Sequence, residues 1–202
     1  MGSIYFNPDS KTDVYERNLP HWQQLGKMYF ITFRLADSIP AEKLSELSQK
    51  QEQFKQSYSP PYTSDQEKEY RHLFYKQLDI WMDNCMGSCI LADQRYAEIV
   101  KSSLEFYNEQ KYMLDHWVIM PNHVHVLAIV EDTILKQVTH GWKSFSARKM
   151  NAISGNSGQV WQHESFDHIV RSEFYLEKYR NYIVGNWLKS GKKALLSINK
   201  AI

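Results

Sequence analysis

The sequence predicts an α+β fold, a single antiparallel sheet built in the order β-α-β-β-α-β, with a helical insertion after the first strand and a further helix near the C-terminal side. Three observations carry this. Met28–Leu35 (MYFITFRL) is a run of β-branched and aromatic residues of the kind that strands favour. The apolar stretch around His116–Val130 is broken once, by Met120-Pro121-Asn122. Proline cannot donate to a strand ladder and asparagine tolerates turn backbone, so the two halves read as a hairpin. Between and beyond these runs, polar stretches carry apolar residues at helical spacing.

Residues 1–26 are polar and mixed, and read as an arm laid across the domain. After the first strand, 41–58 is a helix rich in Glu, Lys and Gln, closed by Ser57–Ser64 (SYSPPYTS). A second helix runs over 65–83, with Tyr70, Phe74, Leu78 and Trp81 at helical spacing. Together, 41–83 reads as a helical insertion. A helix over 92–108 precedes the hairpin of 111–119 and 123–130. Another helix covers 133–153, with Ile134, Val138, Trp142, Phe145 and Met150 broadly on one side. The polar 154–158 (SGNSG) is a loop, 166–170 a short strand, and 172–190 a final helix closed by Gly191. Without the insertion this is the ferredoxin-like split order, one sheet with two helices on one face. The whole of 1–202 reads as one domain.

The hairpin's second strand begins His123-Val124-His125. Strand side chains alternate with period two, so both imidazoles point to one face and Val124, Val126 and Ala128 to the other. A single buried histidine is commonly a satisfied core residue, whereas two side by side make half of a divalent metal site. The predicted arrangement puts them on the sheet face left open by the two helices, where the final helix can dock.

Charge excludes little and hints at something. The net charge is +1, but 1–130 hold 13 Lys+Arg against 17 Asp+Glu while 131–202 hold 11 against 6. A basic C-terminal third suits phosphate contact, and a solvated surface explains it equally well. Cys85 and Cys89, the only cysteines, have neither redox nor zinc-set spacing and read as incidental thiols of a reducing cytosol. No apolar run is long enough for a membrane span and the start lacks a signal-peptide pattern. The expectation is a cytoplasmic protein with no membrane partner.

The set Leu19-Pro-His-Trp22, Tyr29-Phe-Ile-Thr-Phe-Arg34, Met120-Pro-Asn-His-Val-His125, Lys143-Ser-Phe145, Trp161-Gln162, Phe166-Asp-His-Ile-Val-Arg171 and Tyr182-Ile-Val-Gly-Asn186 resembles the REP-associated tyrosine branch of the single-tyrosine HUH transposases. The motifs run in family order over residues 19 to about 191. Trp187 stands where the family often has proline, which implies a later helix end. The resemblance implies a nuclease domain that cuts and rejoins single-stranded DNA through a 5′-phosphotyrosine link. It implies Tyr182 as catalytic residue on the C-terminal helix, and His123, His125 and Asn186 as ligands of a divalent metal, Mg2+ or Mn2+.

The residues agree on their own terms. Tyr182 and Asn186 are one helical turn apart on one face. Tyr175 and Tyr179 share that face, but Tyr179 is followed one turn on by Ile183 and Tyr175 by another tyrosine, so neither is followed by a metal-capable oxygen. His168 is a candidate helper in proton transfer or a structural neighbour of the site. Arg171, Lys143 and Lys149 are candidate phosphate contacts or plain surface charges. Trp161 and Trp22 are candidate platforms for an unpaired base, or core. The expected partner is single-stranded or hairpin DNA, with a homodimer open because the tyrosine helix can serve its own or a partner's metal site. Two other readings stay open: a metal hydrolase using activated water, which needs a further carboxylate or histidine ligand, and a hairpin-binding protein without catalysis.

Overall fold

A computed structural model describes residues 3–16, 20–58, 62–191 and 194–198. The chain divides into two compact units, one formed by Asp37–Cys89 and the other by the chain on either side of it.

The larger unit holds a five-stranded sheet. Its strands are β3 (Lys27–Arg34), β4 (Tyr112–Ile119), β5 (His123–Val130), β6 (Phe166–Ile169) and β7 (Leu195–Ile198), in the order β6-β3-β5-β4-β7 with every neighbour antiparallel. The first four strands of that row have the split arrangement expected from the element order. β7 is an addition that the sequence reading leaves out, since Leu195-Leu-Ser-Ile198 is too short an apolar run to separate from a loop. Residues 1–26 are not simply an arm. Within them β1 (Asp13–Glu16) and β2 (Pro20–Gln23) pair as an antiparallel hairpin, and Val170 O accepts from Phe6 N at 2.9 Å, which ties the segment to β6. Leu19, quoted in the Leu-Pro-His-Trp motif, lies outside the described residues.

Period-two alternation splits the sheet into two faces. Tyr29, Ile31 and Phe33 of β3, with Val124, Val126 and Ala128 of β5, face α4 (Gln94–Glu105) and α5 (Leu135–Ser154), and close a core with Val100, Leu104, Val138, Trp142 and Met150. Each buried Val, Leu, Ile, Phe or Met side chain among them contributes about 1.5–3 kcal/mol relative to exposure. α4 starts at Asp93, whose carboxylate accepts from Arg95 N at 2.9 Å and caps the first turn. On the other face, Met28, Phe30, Leu127 and Ile129 pack on Leu176 and Ile183 of α6 (Glu173–Lys189). The last helix therefore covers the face that carries the histidines.

β4 departs from the regular hairpin expected of it. Leu114 pairs with Ala128 but Trp117 with Val126, so three steps on β4 oppose two on β5. This bulge lets Leu114 and Trp117, three apart, share the α4/α5 core, and it places the fully buried Asp115 and the buried His116 where strand parity is broken.

In the smaller unit, α1 (Ala41–Ser57), α2 (Ser64–Tyr70) and α3 (Lys76–Asp83) bury Leu47, Phe54 and Phe74. The expected unbroken 65–83 helix is interrupted by a π-helical turn at Arg71–Tyr75. The unit extends beyond the 41–83 read from helical periodicity because Asp37 closes it, accepting from Ser88 N at 2.8 Å. Gly87 makes this approach possible: its φ is +82° and a Cβ there would stand 2.3 Å from Asp37 O. The Ser59-Pro60-Pro61 breaker lies outside the described residues. Cys85 is an exposed free thiol and Cys89 a half-buried one.

Candidate active site

β5 opens directly after the Met120-Pro121-Asn122 turn, which closes with Met120 N donating to His123 O at 2.8 Å. His123 and His125 are each 1% exposed and their rings lie 4.7 Å apart, centroid to centroid. Each has its Nδ1 occupied. His123 Nδ1 donates to Asn122 Oδ1 at 2.7 Å, and His125 Nδ1 lies 2.7 Å from Thr32 Oγ1, across the β3–β5 pairing. With Nδ1 as donor, the lone pair of a neutral imidazole sits on Nε2. Burial keeps both rings neutral. It lowers His123 to about 3, and His125 falls well below the ordinary range through burial, the neighbouring His123 and the charge of Lys189.

α6 brings the tyrosine. The Tyr182 ring stands edge-on to His125 with centroids 5.1 Å apart, and edge-on to Phe30 at 5.9 Å. Phe30 in turn stacks on His125 at 5.5 Å and on Tyr179 at 4.4 Å. Tyr179 is thus a packing ring, and Tyr175 is 40% exposed. One turn beyond Tyr182, Asn186 is buried. Its Nδ2 donates to Tyr182 O at 3.1 Å, which turns the carbonyl Oδ1 away from the helix backbone.

A buried polar atom without a partner costs about 1–3 kcal/mol, so such atoms mark what a site is built to receive. Among the described residues they are His123 Nε2, His125 Nε2, Asn186 Oδ1 and, in the core of the opposite face, Trp117 Nε1. Two imidazole nitrogens, acceptors in the tautomer that carries its proton on Nδ1, and an amide oxygen suit a divalent cation bound loosely by neutral ligands. Among the described residues no group of three His, Cys, Asp or Glu side chains gathers into a metal cluster, so the further carboxylate or histidine that a water-activating hydrolase needs is not gathered at the site.

The remaining candidates separate by face. His168 pairs with Phe30 across β3–β6 and so lies on the histidine side of the sheet. Arg171 lies over the Phe6 ring at 5.9 Å, and Phe6 packs on the partly exposed Trp22 at 5.8 Å. Lys143 and Lys149 are on α5, beneath the other face. Lys143 Nζ donates to His163 O at 2.7 Å and to Ser165 Oγ at 3.2 Å, while Lys149 lies 5.9 Å from the Phe145 ring. Of the two readings open for Trp161 the structure shows the core one: it is 4% exposed, packs edge-on against Phe33 and donates from Nε1 to Ser146 Oγ at 2.9 Å.

Three neighbours were missed by sequence reasoning. Thr32 orients His125 and Phe30 backs both His125 and Tyr182, and each is revealed only by the β3–β5 register. Arg34, opposite His123 in that register, carries a guanidinium on the histidine side with its pKa lowered by burial. Asn122 was visible beside His123 but read only as a turn residue.

No protein-family model matches this sequence, and no curated protein does. Among solved structures, a REP-associated tyrosine transposase bound to a REP hairpin matches with a TM-score of 0.50 at 14% identity, over 88% of this chain and 73% of that one. The fold is that of a REP-associated tyrosine transposase. A Deinococcus radiodurans R1 protein assigned as a transposase also matches, with a TM-score of 0.41 at 15% identity, over 79% of this chain and 89% of that one. In this fold the sheet row and the C-terminal helix across its open face bring Tyr182 to the His123 and His125 pair. Among the described residues no helix is long and apolar enough to cross a membrane.

Proposed function

We propose that this chain cuts and rejoins single-stranded DNA at hairpin-forming repeats, with Tyr182 as the nucleophile and a 5′-phosphotyrosine link as the intermediate. The observation that carries the reading is Tyr182 set edge-on to His125 at 5.1 Å, beside three buried acceptor atoms that lack partners. The solved neighbour with this fold holds a REP hairpin, which favours the same class of substrate here.

His123 Nε2, His125 Nε2 and Asn186 Oδ1 would hold a Mg2+ or Mn2+ ion, which supplies positive charge against a non-bridging phosphate oxygen. All three ligands are neutral, so none offsets that charge. Tyr182 attacks phosphorus in line. The Oη–P bond forms as the bond to the 3′ oxygen breaks, the phenolic proton leaves, and the 3′ oxygen departs and becomes a hydroxyl. A free phenol has a pKa of about 10, so its proton is lost during the attack rather than before it. The covalent link conserves the phosphodiester energy, and a 3′-OH can attack it in turn without a nucleotide triphosphate. Arg34 supplies a planar donor fork to the phosphate from the adjacent strand. In this reading the helix serves the metal site of its own chain, supported by the Tyr182 and His125 rings of one chain standing 5.1 Å apart.

Incubation with a labelled single-stranded hairpin and Mn2+, followed by a denaturing gel, tests this. The expected product is a protein–DNA adduct and a free 3′-OH fragment. Cleaved DNA with no adduct identifies a hydrolase instead, and binding without cleavage identifies a hairpin-binding protein.

A further inference from the structure

Where α3 ends, the backbone of the smaller unit coils tightly. Asn84 N donates to Ile80 O at 3.1 Å and Cys85 N to Met82 O at 3.0 Å. From there Cys85, Gly87 and Cys89 all take left-handed backbone, with φ of +51°, +82° and +48°. Glycine adopts that region freely, whereas a residue with a Cβ is strained in it. Asp37 holds the coil in place: its carboxylate accepts from Ser88 N at 2.8 Å, and its carbonyl leaves no room for a Cβ at Gly87. Among the described residues neither cysteine belongs to the apolar cluster around Leu47, Phe54 and Phe74, so packing does not account for them. Strained backbone held by its surroundings marks a place to look for function.

The coil turns the two side chains toward each other. Cys89 Sγ donates to Cys85 O at 3.0 Å and lies 3.7 Å from Met86 O, and its thiol also reaches the thiol of Cys85. A spacing of four gives this meeting only in a helical or tightly coiled backbone, so the sequence pattern does not announce it.

We propose that Cys85 and Cys89 form a reversible dithiol–disulfide pair, a redox-modification site whose co-reactant is a small disulfide of the glutathione class. Cys85 is exposed and Cys89 half-buried, which sets the order of events. The Cys85 sulfur, as thiolate, attacks one sulfur of the small disulfide. The small S–S bond breaks, a mixed disulfide forms on Cys85, and one small thiolate leaves and takes up a proton. Cys89 then attacks the Cys85 sulfur, loses its own proton and expels the second small thiol. The protein pair is oxidised by two electrons and the small disulfide is reduced to two thiols. Cys89 is held back until that step. Burial, with the hydrogen bond and charge of Cys85 and the charge of Asp37, pushes its thiol up to about 12. Once Cys85 is capped, its hydrogen bond and charge no longer oppose ionisation of Cys89. These are the only cysteines of the chain, so the internal bond has one possible pairing. A metal is the poorer occupant: two thiols are half of a tetrahedral set, and among the described residues no group of three His, Cys, Asp or Glu side chains gathers here.

The test takes the full, reduced chain through glutathione buffers of rising disulfide fraction, blocks the remaining thiols with N-ethylmaleimide and measures the intact mass. The expected oxidised product is a monomer about 2 mass units lighter, which takes up no maleimide and carries no glutathione. Cys89→Ser is expected to stop at a stable glutathione adduct on Cys85. Cys85→Ser should react far more slowly, since only the half-buried thiol remains. The folded turn pre-organises the pair, so wild type should oxidise at a disulfide fraction at least about tenfold lower than the same chain unfolded in urea. The proposal is overturned by a wild type that stays reduced or keeps glutathione, by a disulfide-linked dimer in place of the internal bond, or by equal oxidation of the folded and unfolded chains.

Discussion

Asp115 accepts from Arg180 Nε at 2.9 Å and also from a terminal guanidinium nitrogen of the same side chain, while its own carboxylate is fully buried. The pair joins the β4 bulge to α6, two residues before Tyr182. On the other flank of the helix Tyr179 stacks on Phe30 of β3. One anchor on β4 and one on β3 set the roll of α6 about its axis, and with it the position of the Tyr182 ring against His125. Burial alone would raise the Asp115 pKa, but hydrogen bonds and charge from His116 and Arg180 outweigh it and hold the carboxyl low.

Breaking this pair from one side is expected to be costly. Arg180→Met leaves a buried carboxylate short of its cation and should cost about 3–5 kcal/mol, a fall in Tm of about 6–20 °C for a chain of this size. Adding Asp115→Leu should restore much of the stability, since apolar replacement of both partners is commonly neutral. If the pair positions the tyrosine, the double variant should still form adduct slowly, with kcat reduced more than KM. Calorimetry with single-turnover kinetics checks both halves. A double variant at wild-type rate would show that the pair only stabilises the fold.

None of this was legible in the sequence, and the reason is specific. Asp115 and His116 sit in a bulge, and a bulge is a mismatch between two strands that neither strand records alone. Thr32 and Phe30 were hidden for the same cause, because their contacts follow from β3–β5 register. What was legible was local. Val flanked by His123 and His125 fixes their common face by alternation, Tyr182 and Asn186 share a helix face by spacing, and the order of apolar runs fits one known sheet arrangement. Trp161 shows the limit of composition: an aromatic in a basic third suits a base, yet its indole N–H is spent on Ser146 in the core.

The metal proposal predicts a stability effect independent of DNA. A ligand that binds only the folded state at ten times its Kd adds about 1.4 kcal/mol, so Mn2+ should raise the wild-type Tm by about 3–6 °C. His123→Ala and His125→Ala should lose that rise and all cleavage, and EDTA should abolish the rise in wild type. Thermal scans with and without Mn2+ measure this. A variant that keeps both the rise and cleavage would remove these histidines from the ligand set.

His21 predicts a pH effect away from the metal site. Burial alone would lower its pKa, but Asp167 at 2.5 Å and Glu164 at 3.3 Å outweigh burial and raise it above 6.5. A raised folded pKa means that the folded state holds the proton more tightly than the unfolded chain. The contribution is then complete below about pH 6.5 and fades as pH rises through the folded value. Urea unfolding of wild type and His21→Gln should therefore show the largest difference in ΔG near pH 6 and a smaller one near pH 9. A difference that grows with pH would contradict the protonated pairing.

The nucleophile can be isolated among three tyrosines on one helix. Tyr182→Phe removes one oxygen and keeps the ring that packs on His125 and Phe30, so fold and DNA affinity should be unchanged while the covalent adduct disappears. Tyr179→Phe keeps the stack on Phe30 and should still form adduct, as should Tyr175→Phe, whose ring is 40% exposed. The three differ in what stands beside them: Tyr182 alone has an imidazole at 5.1 Å and a buried amide oxygen without a partner one turn on. Peptide mapping should place the nucleotide on the segment containing Tyr182. An adduct that maps to Tyr175 or Tyr179, or persists undiminished in Tyr182→Phe, would detach the chemistry from the histidine pair, because Tyr182 is the ring set against His125 while Tyr179 stacks on Phe30.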